Sequence, residues 1–281
     1  MPELPEVETI RLRLRDGTTE HPSVVGREIR SADLFWERTL AFPDPVCFTE
    51  AIRGQKILDV QRRGKYFVFP LTSGFLLIHL RMSGDLIVGK AGDGISKHYR
   101  LVLNLSGGVL LAFDNPRKFG RVWLVDDPAS VLGVLGPEPL DPALTQELFF
   151  GMLHARKRQL KPLLMDQHFL AGLGNIYTDE ALFRAGLHPK VLSDTLDRQA
   201  AGKLLAGIRD VLREGIRRNG ASIDWIYRGG DFQNCFFVYQ RTGQPCLRCG
   251  TPVRRIVLGQ RGTHFCPVCQ PLPENRNGLC R

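Results

Sequence analysis

The chain has 281 residues, of which 43% are hydrophobic and 24% charged, and 38 basic against 29 acidic residues give it a net charge of +9. This length fits two domains with a small appended unit, and the composition excludes disordered and fibrous proteins. No apolar run reaches the roughly 18 residues of a membrane helix, and the start lacks a secretion signal. Because its seven cysteines occur without an export signal, we expect a cytoplasmic protein with no membrane contact and no disulfide framework.

The positive charge is concentrated at the C-terminal end of the chain. Residues 240–281 contain seven arginines and one acidic residue, Glu274, and therefore carry a net charge of +6. A basic protein without a membrane segment most often has a polyanionic partner. Nucleic acid is the first candidate partner, and a basic surface that merely keeps the protein soluble is the alternative.

The first predicted element is a helix near the N-terminus. Pro5 suits the first turn of a helix, and acidic residues follow it where the helix dipole favours them. Apolar residues then recur at helical spacing until Gly17, where we expect the helix to end. Pro2 and Glu3 consequently lie just outside its N-terminus.

Residues 66–125 follow a different pattern, in which short runs rich in β-branched and aromatic residues alternate with turn sequences. The five runs are YFVFPL, FLLIHL, HYRLVLNL, VLLAFD and RVWLV. Such spacing predicts an antiparallel β-sandwich or barrel. Residues 135–145, LGPEPLDPALT, contain three closely spaced prolines and no periodicity, which indicates a linker.

The chain after the linker is predicted to be helical. A short helix follows the glycines of AGLGN and ends near Gly186, and a long helix begins with Ser193 as its N-cap and stops at Gly220. The glycine turn before Asn175 leaves backbone N–H groups that suit a phosphate. An ordinary turn capped by Asn175 is the alternative.

Two pairs of cysteines form the strongest local signal. Cys246 and Cys249 are followed after 16 residues by Cys266 and Cys269, a spacing at which four thiolates converge on one zinc ion. Because four protein ligands leave no open position, this zinc is structural. The residues between the pairs predict a hairpin with Arg261 near its tip. Zinc ribbons also bind proteins, so the motif alone does not establish a nucleic-acid contact.

Three further cysteines lack partners at metal spacing and are expected to be inert thiols: Cys47, Cys235 and Cys280.

The first residues can supply a nucleophile. An initiator methionine before proline is normally removed, which leaves Pro2 with a free secondary amine. An α-amino group has a pKa of about 8, so roughly a tenth of it is unprotonated at pH 7. Such an amine can attack an aldehydic carbon and form a Schiff base, with Glu3 moving protons beside it. The alternative is that these residues merely begin a helix.

Several segments resemble, in the same order, the bacterial formamidopyrimidine-DNA glycosylase family. They are MPELPEVE, the GKY of residues 64–66, HLRMSG, NPRKFG, LKPLLMDQ with GLGNIYTDEALF, and the four-cysteine finger. The resemblance covers nearly the whole chain. It implies an α+β fold, in which an N-terminal antiparallel β-sandwich with an N-terminal helix precedes a helical domain with a helix-two-turns-helix motif and a four-cysteine zinc finger.

On this resemblance the chain divides into five segments. We expect a catalytic β-sandwich domain over residues 1–135, a linker over 136–146, a helix-two-turns-helix domain over 147–235, a zinc finger over 236–270 and a disordered tail over 271–281. The family also implies a monomer in the bacterial cytoplasm, with one structural zinc ion as cofactor and damaged double-stranded DNA as partner.

The resemblance implies an enzyme that removes oxidised purines, chiefly 8-oxoguanine and formamidopyrimidines, and then nicks the strand by β,δ-elimination. Pro2 would attack the deoxyribose C1′ while Glu3 protonates the opening sugar. Lys65 would bind phosphate and assist the first elimination, and Arg261 would grip the phosphates for the second. For Lys65, a solvated lysine at a strand edge is the alternative.

A damaged base must leave the stack before it can react, and protein side chains must then fill the hole. By resemblance Met82, Arg117 and Phe119 fill it. The resemblance also implies residues that contact the DNA backbone, which makes binding dependent on salt. These residues are His98, Arg117, Arg156, Lys161 and Asn175.

Two other functions stay open at this point. The sister endonuclease VIII family removes oxidised pyrimidines, but it typically has glycine where this chain has Leu4 and fills the hole from one loop. A non-catalytic zinc-ribbon protein would bind nucleic acid without forming a covalent adduct. After the long helix the chain departs from the Gly-Gly-Thr-Thr type of the family, so the resemblance leaves open which residues there contact the flipped base, Ser222 and Tyr227 included.

Overall fold

The computed structural model describes residues 1–223 and 229–273. The chain divides into two compact units. The first unit comprises Met1–Val134 and Gly215–Asp231, and the second unit comprises Leu135–Glu214 and Phe232–Arg281. This division differs from the predicted domains at residues 215–231, which the sequence analysis assigned to the helical domain.

The first unit begins with the predicted helix, α1, over Leu4–Asp16. Its N-terminus is closed by the side chain of Glu6, which accepts the backbone N–H of Glu3 at 2.7 Å. Gly17 ends it with a φ of 76°, a left-handed conformation that favours glycine. One face of α1 is fully buried, as its apolar spacing predicted. Two further helices are α2, Pro45–Ile52, and α3, Ala129–Leu132.

Two sheets follow in the described part of the first unit. The four-stranded sheet has the order β1 (Ile29–Leu34), β7 (Tyr99–Leu105), β8 (Val109–Asp114), β6 (Asp85–Lys90). The five-stranded sheet has the order β2 (Leu40–Phe42), β9 (Arg121–Val125), β5 (Phe75–His79), β4 (Tyr66–Pro70), β3 (Gln61–Arg63). Apolar residues of both sheets and α1 form one buried cluster, which confirms the predicted sandwich.

The sequence pattern predicts five of these strands but not β1, β2, β3 and β6. Strands β2 and β3 have three residues each, too few to show a periodicity. In β6, Leu86 and Val88 are buried while Ile87 between them is half-buried, an alternation hidden within one apolar run. The pairing of β2 with β9 is parallel, so the five-stranded sheet is not wholly antiparallel as predicted.

The second unit is mainly helical, as predicted. Its longer helices are α4 (Gln146–His154), α5 (Leu160–Leu164), α6 (Asn175–Ala185) and α7 (Arg198–Arg217). A hairpin of β10 (Arg254–Leu258) and β11 (Arg261–Phe265) lies between the two cysteine pairs. The division between the units falls inside α7, after Glu214.

The predicted start of the long helix was wrong. Helix α7 begins at Arg198, and the side chain of Asp197 caps it by accepting the N–H of Ala200 at 2.7 Å. Ser193 instead lies buried in a short 3₁₀ turn, where its hydroxyl donates to the carbonyl of Arg156 at 2.5 Å. Serine can satisfy either arrangement, so the sequence alone did not distinguish them.

Three sequence-based expectations concern residues beyond the described ones. Tyr227, Cys280 and the tail from residue 274 onward lie outside the described ranges. Among residues 1–223 and 229–273, none of the helices combines the length and the apolar character that crossing a bilayer requires.

Candidate active site, phosphate contacts and metal centre

Pro2 and Glu3, next to the chain start, are buried beside other charged side chains of the first unit. Glu3 is 2% exposed and Lys65 is 4% exposed. Burial lowers the pKa of the Met1 α-amino group, and the positive charges of Lys65 and Arg117 lower it further. The negative charges of Glu3 and Glu6 oppose this shift. An amine of lowered pKa, two carboxyl groups and two cations are thus gathered at the chain start.

Glu6 is a residue of this site that the sequence analysis treated only as part of the helix. One carboxylate oxygen accepts the N–H of Glu3, and the other accepts the N–H of Ala221 at 2.8 Å. A Cβ at Gly220 would lie 2.7 Å from the Glu6 carboxylate, so glycine permits this approach. Glu6 therefore ties the turn after α7 to the chain start. The sequence signal for Glu6 is its position three residues after Glu3, which is the spacing of a capping box at a helix N-terminus.

Lys65 lies at the tip of the hairpin between β3 and β4. Arg63 pairs with Tyr66, which leaves Gly64 and Lys65 as a two-residue turn. Gly64 has a φ of 58°, which the turn requires and glycine adopts without strain. The hairpin thus places the ammonium group where its charge acts on the chain start.

His79, at the end of β5, is a second titratable residue of this region that the sequence did not single out as part of the site. Burial lowers its pKa to about 3, and the charges of Arg81 and Lys65 add to the effect. Its Nδ1 accepts the N–H of Arg81 at 2.8 Å. The imidazole is therefore neutral, with its other nitrogen available as a donor. In the sequence, the one hint of its role is that a histidine stands at the end of an otherwise apolar strand.

The three predicted void-filling residues lie on two loops of the first unit. Met82 is half-buried, whereas Arg117 and Phe119 are exposed, the latter by 53%. The Arg117 guanidinium lies 5.6 Å from the centre of the Phe119 ring. Arg81 and Lys118, which directly precede Met82 and Phe119, have φ values of 58° and 60°. Left-handed backbone is uncommon for such residues and concentrates at functional loops.

The five predicted backbone contacts differ in their exposure. Arg117 and Arg156 are exposed, and His98 and Asn175 are half-buried. Asn175 is the first residue of α6 and follows a glycine turn, as predicted. Lys161 is fully buried.

Lys161, one of the five predicted backbone contacts, is paired within the protein in this structure. Its ammonium donates to the Asp179 carboxylate at 2.5 Å and to the carbonyl of Asn175 at 3.0 Å. The other Asp179 oxygen accepts the N–H of His264 at 2.9 Å. A buried lysine ion-paired in this way offers no surface to a phosphate. It joins α5, the start of α6 and β11 instead.

Glu180 forms a second buried anchor in the second unit. Its carboxylate accepts the backbone N–H groups of Phe237, Val238 and Tyr239 at 2.8 to 3.0 Å. Burial raises its pKa, although the three N–H donors oppose the shift. This carboxylate fixes the segment that enters the cysteine-rich region.

Arg261 lies where the sequence analysis predicted it, at the tip of the β10–β11 hairpin. It pairs with Leu258 and closes a turn of Gly259 and Gln260. Gln260 has a φ of 61°, so a strained residue again directly precedes a predicted functional one. The Arg261 side chain is exposed.

The four predicted zinc ligands converge. Their sulfur atoms all lie within 4.8 Å of one another, and they form the one candidate metal-binding group among the described residues. Sulfur distances are 3.8 Å for Cys246 to Cys269 and 3.5 Å for Cys249 to Cys266. Tetrahedral zinc with Zn–S bonds of about 2.3 Å requires sulfurs about 3.8 Å apart. The donor set therefore fits one structural zinc ion, as predicted.

Three protein-family profiles match this chain. The formamidopyrimidine-DNA glycosylase N-terminal domain matches residues 1–122, and the formamidopyrimidine-DNA glycosylase H2TH domain matches residues 135–226. The zinc finger found in FPG and IleRS matches residues 243–272. The three matches follow the order of the sandwich, the helices and the cysteine finger.

Curated relatives are similar over nearly their whole length. The formamidopyrimidine-DNA glycosylase of Protochlamydia amoebophila is 41% identical over 279 residues, covering 96% of this chain and 99% of the relative. That of Heliobacterium modesticaldum is 43% identical over 283 residues, covering 96% and 100%.

Solved structures with a similar fold also come from formamidopyrimidine-DNA glycosylases. The Lactococcus lactis Fpg (MutM) bound to DNA containing N7-benzyl-Fapy-dG has a TM-score of 0.88 at 33% identity, covering 96% of this chain and all of that one. MutM in complex with DNA containing carbocyclic 8-oxo-G has a TM-score of 0.88 at 34% identity, with the same coverage. On these matches and the converging site residues, the chain belongs to the formamidopyrimidine-DNA glycosylase family, the glycosylase/AP lyases of base-excision repair.

Proposed function

We propose that this protein excises oxidised purines from duplex DNA through a Schiff base on Pro2 and then cleaves the strand. The observation that carries the proposal is the environment of the chain start. There an amine whose pKa is lowered by burial lies with Glu3, Lys65 and Arg117. Removal of Met1 leaves the free amine on Pro2, which is buried next to Glu3.

The first step forms a bond between the Pro2 nitrogen and the sugar C1′. The glycosidic bond breaks, and the base leaves with its electron pair and takes up a proton. Glu3 then protonates the ring oxygen as it leaves C1′, which gives an iminium ion. Because the neutral amine is the nucleophile, surroundings that lower the pKa of an amine at the chain start, as they do for Met1, support this role.

The iminium ion acidifies C2′, and loss of a C2′ proton expels the 3′ phosphate. A second proton loss expels the 5′ phosphate and completes the β,δ-elimination. We propose that Lys65 stabilises the first leaving phosphate and that the exposed Arg261 grips phosphate in the second step. The zinc ion held by the four cysteines fixes the hairpin that carries Arg261 and takes no part in the chemistry.

For DNA binding, we propose that Met82, Arg117 and Phe119 fill the hole left by the flipped base. The exposure of Arg117 and Phe119 supports this assignment. We propose backbone contacts for the remaining predicted residues except Lys161, whose burial gives it the indirect role of holding Asn175. The residues proposed for these contacts are His98, Arg117, Arg156 and Asn175.

Oxidised purines are the proposed lesion class. The complexes of similar proteins contain Fapy-dG and 8-oxo-G DNA. Leu4 in place of glycine, and void-filling residues on two loops, also favour purines over the pyrimidines of endonuclease VIII. Excision from 8-oxoguanine:C compared with thymine glycol:A duplexes distinguishes the two. We further propose a monomer in the bacterial cytoplasm, divided into the domains that the resemblance implied.

Borohydride trapping tests the proposed chemistry. The active protein is incubated with an 8-oxoguanine duplex and sodium borohydride, and the attached peptide is mapped by mass spectrometry. We expect an adduct on an N-terminal peptide that begins with Pro2 and none with an undamaged duplex. An adduct on a lysine, or full activity in protein that retains Met1, would contradict the proposal. A non-catalytic zinc-ribbon protein would give no adduct.

A further inference from the structure

Asn115, the residue that follows β8, is fully buried and uses all its side-chain hydrogen-bonding groups. Its amide nitrogen donates to the carbonyl of Leu80 at 3.0 Å and to the carbonyl of Ser83. Its amide oxygen accepts the N–H of Gly120 at 3.0 Å. A primary amide has two N–H donors and one carbonyl oxygen, and each has a backbone partner here.

These partners belong to the two loops with the proposed void-filling residues. Leu80 and Ser83 flank the loop of Met82, and Gly120 directly follows Phe119. The Asn115 side chain therefore joins both loops. Its partners in the Met82 loop lie 32 and 35 residues away in the sequence, and its partner in the Phe119 loop lies five residues away.

Arg100 extends the connection to a third loop. It is buried, and its Nε donates to the carbonyl of Asn115 at 2.8 Å while Nη1 donates to the carbonyl of Lys97 at 3.0 Å. The backbone N–H of Asn115 donates to the carbonyl of His98 at 2.9 Å. The loop of His98, proposed to contact the DNA backbone, is thus held by the same pair of residues.

Two glycines allow the Asn115 amide to reach its partners. A Cβ at Gly84 would lie 2.8 Å from the amide nitrogen, and a Cβ at Gly120 would lie 2.9 Å from it. A Cβ would come closer still to other atoms, namely the Asp114 carbonyl oxygen at Gly84 and the Phe113 ring at Gly120. The glycines of the SG and FG pairs in HLRMSG and NPRKFG therefore leave room for the Asn115 amide as well as for these neighbours.

We propose that Asn115, supported by Arg100, is a positioning residue that holds Met82, Arg117 and Phe119 as one rigid unit. The loops then enter the duplex together, because buried hydrogen bonds in a low dielectric are strong and costly to leave unmade. The inference rests on the proposed void-filling role of these three residues.

The variant Asn115→Asp keeps the acceptor for Gly120 and loses both donors to the Met82 loop. We expect excision from an 8-oxoguanine duplex to fall about 100-fold, the cost of a misplacement of about 1 Å. A single-stranded abasic oligonucleotide leaves no hole in a stack, so its cleavage should remain as in the parent. The control Asn104→Asp makes the same chemical change at a half-buried asparagine of β7, whose amide donates to Ser31 and Asp33 and to neither loop, and it should leave both activities unchanged.

Equal losses on the two substrates, or no loss on the duplex, would overturn the proposal. A second measurement needs no Asn115 variant. Met82→Ala, Phe119→Ala and the double substitution are compared in otherwise unchanged protein by single-turnover excision from the duplex.

If the loops act as one unit, the double substitution reduces excision little more than the more damaging single one. Fold-losses that multiply would overturn the proposal while leaving the void-filling role intact. Single substitutions without any effect would overturn the void-filling role and, with it, this inference. The outcomes for the two ideas are therefore distinguishable.

Discussion

Both units bury charged side chains, but these side chains interact with different groups. In the first unit Glu3, Glu6 and Lys65 act on the chain-start amine, where the chemistry is proposed. In the second unit Lys161 and Asp179 bond to each other and to the backbone. Buried charge at the chain start of the first unit is therefore proposed to serve reactivity, although Glu6 also bonds backbone groups there. The buried pair of Lys161 and Asp179 in the second unit serves scaffolding.

The apolar cores of the sandwich and of the cysteine finger also differ. The first unit has a cluster of 24 buried hydrophobic residues among those described, whose removal from water stabilises the sandwich. The cluster at the cysteine finger has five buried residues, and two of them are the metal ligands Cys246 and Cys266. So small a core needs metal and buried polar bonds to fix its hairpin.

Loss of the zinc should have the largest effect, and it should be confined to the second unit. Cys249→Ser removes one of four thiolates, and structural zinc contributes on the order of 10 kcal/mol to folding of such fingers. We expect loss of the metal and weaker DNA binding, measured by zinc analysis and duplex titration. Cys47→Ser, at an exposed cysteine outside the cluster, should keep both. A Cys249→Ser protein with metal and full affinity would contradict the structural role.

Glu3→Gln tests whether buried charge in the first unit serves reactivity. We expect base release to fall by about 100- to 10,000-fold because the variant cannot donate or accept the proton. Duplex binding and the free energy of unfolding should stay nearly unchanged. Single-turnover excision and urea unfolding measure the two properties. Turnover comparable to the parent would remove Glu3 from the mechanism.

Lys161→Met tests whether buried charge in the second unit stabilises the fold. Removal of the lysine leaves the Asp179 carboxylate buried without its ion pair, which typically costs about 3 to 5 kcal/mol. Urea unfolding followed by circular dichroism measures the loss. Lys157→Met, at an exposed lysine, should stay within about 0.5 kcal/mol of the parent. Equal stability of the two variants would exclude the scaffolding role.

The smallest expected effect concerns His79 and the pH dependence of stability. Its pKa of about 3 in the folded protein lies below the ordinary value of 6.5. Between these values the unfolded chain binds a proton that the folded protein does not. The free energy of unfolding should therefore decrease as pH falls below 6.5, by up to about 1.4 kcal/mol per pH unit. His79→Gln should show a shallower decrease in urea unfolding at pH 7 and pH 5.5, and identical pH dependence would contradict the assignment.

Much of the fold was predictable because its signals are local. The helix before Gly17, the hairpin around Arg261 and the cysteine pairs each depend on neighbours within a few residues. The three-residue strands were missed because so few residues carry no period. The N-cap of α7 was misplaced because Ser193 and Asp197 can both cap a helix, and packing chose between them.

Residue types and spacing alone predicted the zinc ligands and the β-rich first half, and they suggested a nucleophile at the chain start, since each is a property of a short segment. Three features arose only in the folded chain: the bond from Glu6 to Ala221, 215 residues away, the burial of Lys161 against Asp179, and the joining of two loops by Asn115. Such bonds link residues far apart in the chain. Their partners are selected by which elements pack together, and no local pattern encodes that choice.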